Sequence, residues 1–97
     1  MPTYVVLANY TEQGLRNIQE SPSSGYRVEE AIESNGGKLK FMYLTLGQYD
    51  LVIVAEAPSD VEFATALLTM TRSGDMQTST LKVFTPEEMA RIISQVR

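Results

Sequence analysis

Residues 44–54 read Leu-Thr-Leu-Gly-Gln-Tyr-Asp-Leu-Val-Ile-Val, and the fold turns on how this stretch is read. Gly47-Gln48 stands between two apolar runs as a two-residue link with glycine first, which predicts a type II′ hairpin, a turn that needs positive φ at its first central residue. Leu39–Leu46 and Leu51–Ala57 then become antiparallel strands, the second closed by Pro58. Tyr49 and Asp50 are the polar residues at the entrance of that second strand. Asp50 is either turn chemistry or a charged group placed to work in a pocket.

Working outward, Thr3–Tyr10 is rich in β-branched and aromatic residues and reads as a first strand. Thr11-Glu12-Gln13-Gly14 looks like a helix entrance. Leu15 and Ile18 begin an apolar stripe, Ser21-Pro22 predicts a break, and Val28, Ala31 and Ile32 resume the stripe until Asn35-Gly36-Gly37 stops it. After Pro58, Ser59-Asp60-Val61-Glu62 has the S-x-x-E form of a capping box. It predicts a helix with Val61, Ala64, Leu67, Leu68 and Thr71 on one face and a stop at Ser73-Gly74. Gln77–Phe84 gives a fourth strand. Thr85-Pro86-Glu87-Glu88 repeats the capping box with proline at the first helical position, and Met89, Ile92, Ile93 and Val96 make the last helix amphipathic.

This order is α+β and ferredoxin-like, βαββαβ with an extra C-terminal helix, in one domain spanning residues 1–97. Its four-stranded antiparallel sheet has the first and third strands at the centre, with helices on one face only. Side-chain parity then raises a difficulty. Leu51, Ile53 and Ala55 oppose Val52 and Val54, and Val6 and Ala8 oppose Val5 and Leu7, so the central strands are apolar on both sides. A half-solvated sheet should alternate apolar with polar, and an exposed patch this apolar is unusual on a monomer. The expectation is a homodimer through the open sheet face, with larger homo-oligomers through the edge strands also open. The alternative is a C-terminal helix folded back over the patch.

Composition excludes several chemistries. The 97 residues contain no cysteine and no histidine, which leaves no thiolate or imidazole for a transition metal or haem and no histidine general base. The expectation is therefore no cofactor and no metal. A net charge of −4, with Lys and Arg scattered, supplies no basic field for nucleic acid. No apolar run approaches the roughly 18 residues of a membrane span, and Met1–Tyr10 lacks the marks of a signal peptide, so a soluble cytoplasmic protein is expected.

Five segments together resemble the small bacterial GYD-domain proteins: Met1-Pro2-Thr3-Tyr4-Val5, Asn9–Gly14, Gly36–Lys40, Tyr43–Asp50 and Phe84-Thr85. The family is named for the glycine, tyrosine and aspartate that match Gly47, Tyr49 and Asp50. Ser23-Ser24-Gly25 departs from it in being less helix-favouring. The resemblance implies a dimeric α/β barrel and no established reaction.

The residues leave two functional readings. One is a binding or assembly module, holding a small organic ligand or serving as a structural partner. The other is a cofactor-independent enzyme, of isomerase or monooxygenase type, acting on a small carbonyl or aromatic compound. There Asp50 would be the base, and Tyr49, Tyr43 or Asn9 would stabilise an oxyanion. Asp50 and Glu56 lie roughly 20 Å apart at about 3.3 Å per residue, too far to cooperate. Asn9, Thr11 and Gln13 gather amides and a hydroxyl at the end of the first strand, and Arg16 and Arg72 are candidates to neutralise an acidic ligand. Helix capping explains Thr11, and backbone hydrogen bonding near the turn, or pairing with a basic residue such as Lys40 or Arg72, explains Asp50, without any ligand. The methionines, Met42, Met70 and Met89 among them, fit core or interface gaps.

Overall fold

A computed structural model describes the backbone of residues 1–97 and the side chains of residues 1–19 and 25–97. The elements are β1 (Thr3–Tyr10), α1 (Glu12–Arg16), a 3₁₀ turn (Ile18–Glu20), α2 (Ser21–Ser34), β2 (Lys38–Leu44), β3 (Leu51–Glu56), α3 (Asp60–Thr71), β4 (Met76–Val83) and α4 (Pro86–Ser94). The sheet order is β2-β3-β1-β4, antiparallel throughout, so β1 and β3 are central as expected. The ferredoxin-like topology follows from the order in which strand and helix periodicities alternate along the chain.

Parity sorts the central strands. Tyr4, Val6 and Ala8 of β1 and Leu51, Ile53 and Ala55 of β3 are buried under the helices, where Val28, Ala31 and Ile32 of α2 and Phe63, Ala66 and Met70 of α3 meet them. Tyr4 anchors α3: its ring stacks on Phe63 at 4.1 Å and 4°, and its hydroxyl donates to Asp60 Oδ1 at 2.5 Å. Lys82 Nζ lies 3.1 Å from the same carboxylate oxygen.

Four local expectations need correction. The first helical region breaks at Asn17, not at Pro22. Pro22 falls in the first turn of α2, where an amide has no intrahelical acceptor and its loss costs nothing. Between β2 and β3 there is no two-residue turn. Residues 45–50 form a longer loop, held by Thr45 N–H donating to Asp50 O at 2.7 Å and Thr45 Oγ1 donating to Tyr49 O at 2.5 Å. Gly47 does adopt a positive φ of 119°. Those two bonds end β2 at Leu44 and leave Leu46 fully exposed.

At the start of α3 the Ser59 hydroxyl donates to the Glu62 carboxylate, so it makes no cap bond to the helix backbone. The buried face of α3 is Phe63, Ala66 and Met70 with Leu67 beside them, whereas Val61 and Leu68 are exposed, because Phe63 follows Tyr4. The alternative cover for the open face fails as well: α4 does not fold back over the sheet. Its capping box at Thr85 and Glu88 forms as read, with Pro86 in the first turn, yet the helix buries none of its residues. Met89, Ile92 and Ile93 stay exposed.

Where α2 stops, Gly37 N–H donates to Ile32 O and Gly36 N–H to Glu33 O, with Gly36 at a φ of 81°. This is a Schellman ending, as the Asn-Gly-Gly stop implies.

Burial pushes the Tyr4 hydroxyl up to about 12, and its bond to Asp60 and that group's charge add to the shift. The folded chain thus holds this proton more tightly than the unfolded chain, whose group titrates near 10.0. The resulting stability is present in full below pH 10.0 and lost as pH rises towards about 12. Tyr4→Phe should flatten the melting temperature over that window, in melts recorded from pH 9 to 12. Asp60 moves the other way, lowered first by the Tyr4 hydroxyl and then by Lys82.

Candidate functional site

A β-bulge shapes one wall of a cleft at the β2 edge of the sheet. β2 shifts register between Leu39 and Phe41, so Lys40 is an extra residue. Leu39, opposite Ala55, Met42, opposite Ile53, and Leu44, opposite Leu51, therefore share the helix side. Phe41, opposite Val54, and Tyr43, opposite Val52, share the open side. Without the bulge Leu39, Phe41 and Tyr43 would point the same way.

On the helix side the start of α2 overhangs this row, and a cleft of about 660 Å³ lies between them. Its described walls are Ile18, Gly25, Tyr26 and Glu29 on one side and Leu39, Met42 and Leu44 on the other, with Tyr10 and Leu51 between. Gly25 faces open space, since an added Cβ there would meet nothing within 4 Å. Glu29 is the one charged side chain among the described lining residues, and no lysine or arginine is among them.

The residues expected from sequence fall elsewhere. Asp50 stands where β1 outruns β3: β3 begins at Leu51, opposite Ala8, while β1 continues to Tyr10. There Asp50 N–H donates to Ala8 O at 2.9 Å, and its Oδ2 accepts from Tyr10 N–H at 2.9 Å. The carboxylate thus takes the place of a missing strand carbonyl, which is the hydrogen-bonding account of Asp50. Asp50→Asn keeps an acceptor and should change stability by less than about 1 kcal/mol, whereas Asp50→Ala should lose about 1–2 kcal/mol in urea unfolding.

Tyr49 lies half-buried in the loop. Tyr43 stacks on Phe41 at 4.9 Å on the open face, away from the cleft. Asp50, Tyr49 and Tyr43 are all absent from the cleft walls.

Asn9 pairs with Gln77 at the end of β1. Thr11 and Gln13 converge instead on the turn between α3 and β4. Thr11 Oγ1 accepts from Gly14 N–H at 3.1 Å and donates to Gly74 O at 2.6 Å, and Gln13 Nε2 donates to Ser73 O at 2.8 Å and Asp75 Oδ1 at 3.0 Å. These bonds tie the start of α1 to the turn between α3 and β4. Arg16 pairs with Glu12 at 2.9 Å in solvent, and Arg72, exposed at the end of α3, lines a different hollow with Arg27 and Glu30. The structure therefore does not bring either arginine to the α2–β2 cleft.

Sequence reasoning missed Tyr10, Tyr26, Glu29 and the apolar row of β2. A helical signal was present: Gly25 and Glu29 stand four apart, on the stripe that continues one turn later near the buried Ile32.

The sheet, with its helices on one face, defines a ferredoxin-like module with a cleft between helix and edge strand. A GYD domain model matches residues 4–93, and the chain belongs to the GYD-domain family. It is 32% identical over 83 residues to a Thermus thermophilus protein named glutamine synthetase and cystathionine beta-lyase binding protein, covering 84% of this chain and 87% of that one. The crystal structure of an FFRP superposes with a TM-score of 0.60 at 21% identity, over 87% of this chain and 100% of that one, a likeness of fold.

Proposed function

We propose that this chain is a binding module that works as a homodimer joined through its open sheet faces and holds a small organic ligand between α2 and β2. One observation carries the assembly. Val5, Leu7, Val52 and Val54 form an apolar centre that the chain's own helices leave half-exposed, and Phe41, Tyr43 and Leu81 extend it. Thr3, Asn9, Gln77, Lys38 and Glu56 ring that centre. An apolar core inside a polar rim is the anatomy of a protein interface.

The sheet edges are less suited to join copies. Lys38, Lys40 and the bulge sit on β2 and Lys82 on β4, devices that discourage edge-to-edge pairing. The exposed apolar face of α4 adds to the surface available for assembly. The Thermus thermophilus relative is named for binding two enzymes, which supports a module whose partners include proteins. Sedimentation equilibrium at micromolar concentration should give at least twice the 10.8 kDa chain mass. A monomer at that concentration would reject the assembly.

A further inference from the structure

We infer that the α2–β2 cleft selects a small organic cation, an amine carried on an aromatic or branched aliphatic body. This rests on the proposal that the cleft is the ligand site and adds which chemistry it accepts. Three observations converge. Leu39, Met42, Leu44, Leu51 and Ile18 offer hydrocarbon, so the body of the ligand must be apolar to gain from entering.

The polar groups of the described walls are one carboxylate, Glu29, and the phenols of Tyr10 and Tyr26. A carboxylate accepts and does not donate, and tyrosine ring faces attract cations. Among the described residues Glu29 has no ion pair or hydrogen bond, so its charge is not already spent on a protein partner.

The nearby cations are engaged elsewhere. Arg27, two residues before Glu29, lies 3.7 Å from Asp75, and Lys40 lies 4.0 Å from Glu56. A ligand carboxylate would thus meet Glu29 with no cation among the described lining residues to offset it. The same reasoning disfavours an α-amino acid relative to the amine that lacks its carboxylate. A cleft of about 660 Å³ has room for a phenyl or branched alkyl group with a short aminoalkyl arm.

The test is calorimetric titration of the full chain with 2-phenylethylamine, 2-phenylethanol, 3-phenylpropanoate and phenylalanine. The amine should bind more tightly than the alcohol by about tenfold, the scale of one charge-assisted hydrogen bond, and the two carboxylates should bind most weakly. Glu29→Gln should bring amine and alcohol to within about twofold of each other while the melting temperature stays put. Gly25→Trp, whose side chain would enter the open space at that position, should block all four probes with the circular dichroism spectrum preserved.

Alcohol or carboxylate binding as well as the amine would overturn the charge selection and leave the ligand site standing. Amine selectivity that survives Glu29→Gln, or binding that survives Gly25→Trp, would overturn the assignment to these residues. No binding by any probe at millimolar concentration would defeat both this inference and the ligand-site proposal beneath it.

Discussion

Gly37→Ala should destabilise the fold by about 3 kcal/mol, while Gly25→Ala should stabilise it by up to about 1 kcal/mol. The same added methyl group has opposite consequences because of what surrounds it. At Gly37 an ideal Cβ would stand 2.3 Å from the backbone oxygen of Glu56, 3.0 Å from Ile32 Cγ2 and 3.2 Å from the Ile32 oxygen. The first is a backbone atom of a central strand and the last belongs to the Schellman ending of α2. Neither can withdraw without shifting α2 against the sheet, and the interior is too densely packed to absorb that shift cheaply. At Gly25, inside α2, the methyl would enter open space, and alanine removes the conformational entropy that glycine loses in a helix. Urea unfolding of both variants beside the parent measures the difference as a shift in midpoint at constant slope. A Gly37→Ala protein as stable as its parent would show that this junction gives way easily, and the close approach of α2 to β3 would then have no structural weight.

These two glycines also show what could be read from the sequence. Asn35-Gly36-Gly37 was legible as a helix stop because that signal is local, and the Schellman bonds confirm it. The order of the strands and the two-sided apolar character of β1 and β3 were legible for a similar reason: a period of two residues is visible along the chain itself. The bulge at Lys40 was not, because a single extra residue leaves no mark until β2 is paired with β3. Yet it decides which β2 side chains face the cleft and which face outward, so the cleft stayed hidden with it.

The face of α3 failed on a related ground. Val61, Ala64 and Leu68 and, against them, Phe63, Ala66 and Met70 are both credible stripes at helical spacing, and only the stacking of Phe63 on Tyr4, 59 positions away in the chain by subtraction, chooses between them. Thr11 was readable as a helix cap from its neighbours. Its second bond, to Gly74, and the bonds of Gln13 to Ser73 and Asp75 depend on the turn between α3 and β4. For Asp50, the sequence placed a carboxylate at a strand entrance, but the amide it serves belongs to Tyr10, on a strand 40 residues earlier.

Val54→Asp should convert the proposed dimer to a folded monomer. Val54 lies on β3, opposite Val5 on β1 and Phe41 on β2, at the middle of the open face. In an isolated chain this side chain is only half-buried, so an aspartate there could keep its carboxylate hydrated and the fold would survive at modest cost. In a dimer stacked sheet on sheet the same carboxylate would be shut between two apolar faces. Its direct neighbours on that face, Val5, Phe41, Val52 and Glu56, offer no cation, and the nearest lysine on the face, Lys38, stands opposite Glu56. The two-fold relation of a homodimer would also place its copy from the second chain in the same interface. Burying an unpaired charge costs several kcal/mol, and here each dimer would bear that cost twice. At about 1.4 kcal/mol per factor of ten, several kcal/mol removes association at micromolar concentration.

Sedimentation equilibrium reads this directly, as a fall to the 10.8 kDa chain mass with an unchanged far-ultraviolet spectrum. Ile93→Asp on α4 supplies the comparison, since Ile93 is 59% exposed and lies off the sheet. If the sheet faces hold the dimer, Val54→Asp should dissociate it and Ile93→Asp should weaken it far less. The reverse ranking would move the interface to the α4 arm, and a Val54→Asp protein as dimeric as its parent would reject the sheet-face interface.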